Sequence, residues 1–106
     1  MERFASNLRK RAEELGISNA EAARRAGLSE RRYGNYVSGR REPDLATLVR
    51  IAEVLGTAPN DLLGFAPEER KSKRALMKDR LAVAVNAMGD RELEITVIQA
   101  EAVAAN

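Results

Sequence analysis

Punctuation limits this fold more than composition does. Glycines stand at 16, 27, 39 and 56, and each is followed within a few residues by a residue suited to begin a helix: Ser18, Ser29, Asp44 and Pro59. A left-handed glycine ends a helix, whereas a serine or aspartate cap, or a proline in the first turn, begins one. The first 65 residues are thereby cut into five short segments. Phe4, Leu8, Ala12 and Leu15 recur at helical spacing, so residues 2–15 are predicted to be an amphipathic helix closed by Gly16. Ser18 and Glu21 form a capping box for a second helix, and alanines at 20, 22, 23 and 26 leave it small enough for close packing. Ser29 caps a third helix with Glu30 in its first turn and Tyr33, Tyr36 and Val37 on its apolar side. Asp44 caps a fourth, with an expected core stripe of Leu45, Leu48, Val49, Ala52 and Leu55. Pro59 opens a short turn whose end, Leu62-Leu63-Gly64-Phe65, is expected to cover the bottom of the core.

A chain of 106 residues, 44% of them hydrophobic, can bury one core or one compact domain plus an appendage. Without cysteine or histidine it has no disulfide framework, no thiolate and no imidazole base or ligand. Nothing pairs a nucleophile with a base, so an enzyme is not expected, nor a metal or other cofactor. No apolar run approaches the roughly 20 residues of a membrane span, and the first residues lack the apolar stretch of a signal peptide. The expectation is a soluble cytoplasmic protein.

Net charge is only +2, yet its placement is uneven. Residues 24 to 41 hold Arg24, Arg25, Arg31, Arg32, Arg40 and Arg41 against Glu30 alone, whereas residues 66 to 106 carry seven basic and seven acidic side chains. Clustered arginine suits phosphate, because its planar fork donates paired hydrogen bonds and keeps its charge. Two short helices joined by the turn Gly27-Leu28-Ser29 form a helix-turn-helix arrangement, whose second helix can enter a major groove. The tyrosines at i, i+3 read as core packing rather than as platforms for bases, which argues against single-stranded RNA as the ligand.

Gly16-Ile17-Ser18, Ala23, Gly27-Leu28-Ser29, Gly39-Arg40-Arg41-Glu42-Pro43 and the run from Leu45 to Leu63 occur in order and at the spacing of a known family. Over residues 4 to 65 the chain resembles the Cro and phage-repressor type of helix-turn-helix domain. The resemblance implies an all-α fold of five helices, lambda-repressor-like, in a domain of residues 1–65. It implies base contacts at Glu30, Arg31, Arg32 and Asn35 on the recognition helix, with an arginine gripping guanine, Asn35 pairing with adenine and Glu30 accepting from cytosine. Glu30 also suits the helix dipole. Phosphate contacts fall to Asn19, Ser29, Ser38, Arg40 and Arg41. Four positions depart from the pattern: Asn19 stands where a glutamine is usual, Ala22 replaces a leucine, Arg11 falls where a core leucine often stands, and Gly34 interrupts the recognition helix. Gly34 is either merely tolerated there, or its bare backbone allows close approach to a groove floor or a phosphate.

Residues 66–106 lie beyond the resemblance and read as a helical extension. Pro67 is expected to begin a helix, with Arg70, Lys71, Lys73 and Arg74 as a basic run at its solvated start. Met77, Leu81, Ala84, Val85 and Met88 form one stripe before Gly89. Past Asp90, the spacing of Leu93, Val97, Ala100 and Ala104 favours a helix over the strand that Leu93, Ile95 and Val97 also fit. With a core already closed by residue 65, Met77, Leu81, Val85, Met88, Leu93 and Val97 are expected to meet a second copy. The whole reads as a dimeric DNA-binding transcriptional repressor on a palindromic operator, its recognition helices roughly 34 Å apart. The alternatives are an antitoxin-type autoregulator whose tail binds a toxin, and a protein-binding adaptor.

Overall fold

The computed structural model describes residues 2–65 and 72–105, so the expected helix start at Pro67, with Arg70 and Lys71, lies outside the described residues. Among those residues every regular element is helical: α1 Glu2–Leu15, α2 Asn19–Arg25, α3 Glu30–Val37, α4 Leu45–Val54, α5 Pro59–Leu63, α6 Lys73–Asn86 and α7 Asp90–Ala105. The starts follow the cap chemistry. Ser18 accepts from the Glu21 amide, Ser29 from that of Arg32, Asp44 from that of Thr47 and Ser72 from that of Ala75. Of the capping box in α2, the Ser18 bond is formed, while the Glu21 carboxylate accepts from Arg24 and Arg25.

α1 is the central beam, packing on α3, α5 and α6. Phe4, Leu8 and Leu15 from α1 meet Ala22, Ala23, Leu28, Tyr33, Tyr36, Val37, Leu48, Ile51, Leu55 and Leu62 in one core. Three expectations need correction. In α4 the buried face is Thr47, Leu48, Ile51 and Ala52, and Leu45 is 81% exposed with Val49 also exposed. The stripe is rotated because Ile51, absent from the expected set, fills the core, and residues at i−3 and i+4 of it turn inward with it. Phe65 is 81% exposed, and Leu62 alone closes the base of the core fully, with Leu63 packed at its edge. The core is also not completed by residue 65, because Val83 of α6 enters it. It lies so close to Gly56, at φ 61°, that a Cβ there would sit 2.6 Å from a Val83 methyl. The helical reading of residues 90–104 holds: α7 covers them.

Arg11, at the position of a family core leucine, is indeed buried, at 6% exposure. Its Nε donates to the Leu55 carbonyl at 2.8 Å and its Nη2 to that of Gly56 at 3.1 Å, while Nη1 meets the Asp79 carboxylate at 3.3 Å. The last carbonyls of a helix lack internal partners and carry the negative end of its dipole, so a guanidinium there satisfies both needs. Arg80 of α6 does the same for α1, donating from Nε to Leu15 O at 3.0 Å. Two arginines thereby cap two helix ends and dock α6 on the domain.

Arg11→Leu is expected to lower the unfolding free energy by about 2–3 kcal/mol, since a leucine fills the volume but leaves the buried Leu55 carbonyl and the part-buried Gly56 carbonyl without this donor; urea denaturation measures it. Tyr33 is 1% exposed and its hydroxyl has no hydrogen-bond partner, burial pushing its ionisation up to about 12. Tyr33→Phe should therefore be neutral or stabilising by up to about 1 kcal/mol. Tyr36→Phe, which removes the hydroxyl that Arg32 Nε reaches at 2.9 Å, should destabilise in the same assay.

Candidate nucleic-acid interface

The turn between α2 and α3 is closed by two backbone bonds, Leu28 N to Ala23 O at 2.8 Å and Gly27 N to Arg24 O at 3.1 Å. Gly27 makes the first possible with φ 71°, which turns the Leu28 amide back to the helix, a conformation that a side chain resists. Leu28 is buried and wedges the two helices at a fixed angle. With Tyr33, Tyr36 and Val37 inward, helical geometry turns Arg31, Gly34, Asn35 and Ser38 to the opposite face of α3.

The end of α3 brings two further arginines to this face. Asn35 O accepts from the Arg40 amide at 2.9 Å, the Arg41 amide at 3.2 Å and the Ser38 hydroxyl at 3.2 Å, so the loop folds back against the helix. Arg9, 28 residues away in sequence, donates to Val37 O at 2.6 Å and pins the same helix end. The result is an open concavity of about 700 Å³ lined by Arg31, Gly34, Asn35, Ser38, Arg40 and Arg41. Three of the six lining residues are arginines and none is acidic. A Cβ at Gly34 would meet nothing within 4 Å, so glycine there is not required by the fold's own packing.

The other expected residues lie apart from this concavity. Arg32 reaches away to α4, with Nε on the Tyr36 hydroxyl, Nη2 at 3.3 Å from Thr47 Oγ1 and 3.7 Å from Asp44 Oδ2. Ser29 spends its oxygen on the α3 cap at 3.1 Å. Asn19 and Glu30 are exposed at the first positions of α2 and α3. Arg24 and Arg25 are paired with Glu21, whose carboxyl is held below its ordinary value first by Arg24 and then by Arg25. Of the six clustered arginines, Arg31, Arg40 and Arg41 thus converge on the concavity.

With this geometry in view, residues 8–62, about half of the chain, match the family model described as helix-turn-helix. The chain belongs to the helix-turn-helix family, of the Cro and phage-repressor type. It is 35% identical over 60 residues to the SPbeta prophage-derived HTH-type transcriptional regulator YonR of Bacillus subtilis (strain 168), a match covering 57% of this chain and 56% of that one. The chain thus spans a little over half the length of this curated relative. A crystal structure of a transcriptional regulator from Listeria innocua is similar at TM-score 0.54 and 25% identity, over 94% of this chain and 91% of that one. This likeness extends beyond the helix-turn-helix helices into α6 and α7.

In this helix-turn-helix, Arg9 and Thr47 are the supporting residues that sequence reasoning missed. Arg9 holds the end of α3, and Thr47 is a buried polar residue that accepts from Arg32. No local pattern marks either, since each acts across two helices. Asp44 joins the same support. The Thr47 amide, then its hydroxyl, and then the charges of Arg32 and Arg50 hold the Asp44 carboxyl below its ordinary value of 3.8. A lowered folded-state pKa means that its stabilisation is present above that ordinary value and is lost as pH falls through the folded one. Asp44→Asn keeps a capping oxygen but no charge. Thermal unfolding should therefore find the variant less stable at neutral pH, with the gap closing as pH falls through the lowered folded-state pKa of Asp44.

Proposed function

We propose that this protein is a sequence-specific DNA-binding transcriptional regulator, acting in the cytoplasm as a homodimeric repressor on a palindromic operator. One observation carries the reading: the outward face of α3 and the loop after it form a single cationic concavity with no acidic lining. Such a surface matches a groove edged by phosphates, where cation clusters give affinity and base-edge contacts give specificity. α3 is the recognition helix. Arg31 grips guanine at O6 and N7, and Asn35 pairs with adenine at N6 and N7. Glu30, at the leading end of the helix, complements its dipole and accepts from cytosine.

Arg40, Arg41 and Ser38 hold phosphates on one side of the groove, and Asn19 and Ser29, at the starts of α2 and α3, hold them on the other. Arg32 braces α3 against α4 with two of its five donors, and the others, on a half-exposed side chain, are left for a base edge. Gly34 lets the helix come close to the groove floor, since the protein's own packing would accept a larger residue. Dimerisation rests on the extension. Met77 and Leu81 are each 53% exposed, Val97 is exposed, and Val85, Met88 and Leu93 are half-buried. Large apolar side chains at such exposure favour a partner surface. The same surface supports a second reading, an autoregulator that holds a toxin, for which copurification of a small foreign protein is the test.

Selection of bound duplexes from a random library should enrich an inverted repeat with half-site centres about 10 base pairs apart. On that operator, Arg40→Ala should weaken binding to all sequences and lower the salt slope by about 1. Arg31→Ala and Asn35→Ala should each relax preference at one position, at about 1–3 kcal/mol. Gly34→Ala should stabilise the fold by about 1 kcal/mol and weaken operator binding. Equal behaviour of Arg31, Asn35 and Arg40 variants, or no enriched sequence, counts against the reading.

A further inference from the structure

Among the described residues, α7 packs little against its own chain. It runs for 16 residues, has no buried residue, and takes part in none of the principal helix–helix packings. Ile95, Val97, Ile98 and Val103 are all exposed, and they do not share a face: at helical spacing they point around the whole cylinder. Large apolar side chains on several sides of a helix favour its being covered by neighbours, and a lone helix of this length is marginal in water.

The charges say what covers it. α7 carries Asp90, Glu92, Glu94 and Glu101 against Arg91, whereas α6 carries Lys73, Arg74, Lys78 and Arg80 against Asp79. The patterns also match in detail. On α7, Asp90, Glu94 and Glu101 fall on one line at i, i+4 and i+11, with Leu93 and Val97 on one flank and Ile98 on the other. On α6, Val83 faces the core, and Met77 and Leu81 form a line on the outer side. Lys73 and Arg80 flank that line on one side, Arg74 and Lys78 on the other. Packed side by side, Leu93 and Val97 of α7 cover the Met77–Leu81 line of α6, and the acidic line next to them then meets the basic flank of Arg74 and Lys78. Met77 and Leu81 also line an open groove of about 360 Å³ with Ile17 and Arg25 of the helix-turn-helix domain, which extends the apolar floor beyond α6.

We infer that two copies of this chain exchange their last helices: α7 of each lies along the outer face of the other's α6, with Glu94 and Glu101 among the partner's Arg74 and Lys78. The arrangement is two-fold symmetric, so both contacts form together. It covers α7 with the partner's α6 on one side and leaves its other faces to the partner's domain edge at Ile17. This rests on the dimeric reading proposed above and specifies its geometry. Because α6 is locked to α1 and α4 through Arg11 and Arg80, the exchange would fix the separation of the two recognition helices.

The test is sedimentation equilibrium of the full chain and of two charge-reversed forms, R74E/K78E and E94K/E101K, each checked for helix content by circular dichroism. All four positions are exposed. The wild type is expected to be a dimer. Each reversed form should self-associate roughly 10- to 100-fold more weakly, since like charges then face each other at both symmetric contacts. Mixing the two should restore a one-to-one dimer, because α6 and α7 are then opposite in charge at both contacts. The fourfold variant R74E/K78E/E94K/E101K should dimerise alone, which keeps the idea testable if either reversed form fails to fold. Wild-type association of R74E/K78E would overturn the exchange and leave the dimeric reading standing, as would a mixture no tighter than its components. A wild type that stays monomeric at all concentrations would overturn both.

Discussion

Two arginines on one face-to-face beam hold this protein in register. Arg9 and Arg11 lie two residues apart on α1, so their side chains leave the helix in different directions, one to the carbonyl end of α3 and the other to that of α4. Helix ends are where short helices fray, because their last carbonyls have no internal donors. In a fold of segments as short as α2 and α3, a guanidinium at the end of a neighbour decides whether that neighbour stays straight and in place. Arg11 extends the same device to α6 through Asp79, and Arg80 returns it by capping α1. The domain and its extension are therefore joined mechanically at this junction, and α3 inherits its orientation from α1.

The cationic face arises by subtraction. Six arginines cluster in the sequence between residues 24 and 41, and half of them have partners within the fold: Glu21 for Arg24 and Arg25, and Tyr36, Thr47 and Asp44 for Arg32. Arg31, Arg40 and Arg41 converge on one concavity with Asn35, Ser38 and the bare backbone of Gly34. The folded-back loop that delivers Arg40 and Arg41 depends on a single acceptor, the Asn35 carbonyl, so a residue expected for its side chain also organises the site through its backbone.

Much of this was legible beforehand where the physics is local. Caps at Ser18, Ser29 and Asp44, stops at Gly16, Gly27 and Gly56, and the inward tyrosines needed only neighbours within a turn or two. The illegible parts share a cause. In α4, Leu45 and Ile51 are equally apolar, and only packing against α2 and α5 selects Ile51 for the core. Phe65 looked like core by composition but stands exposed beyond α5. Arg32 was indistinguishable from Arg31 in the sequence, and Tyr36, one turn away, together with Thr47 from another helix, separates their environments.

The chain's residue order determined that it would be all-helical, where each helix in its first 65 residues begins and ends, and that its positive charge would gather around one turn. Those properties depend on cap geometry, backbone freedom and side-chain charge, which travel with each residue. Tertiary structure decided which arginines remain for a ligand, which face of α4 is buried, that Val83 completes the core from beyond residue 65, and that α7 is left uncovered. Each of those turns on contacts between residues distant in sequence, where hydrogen-bond reach and packing volume choose among side chains that the sequence presents as equivalent.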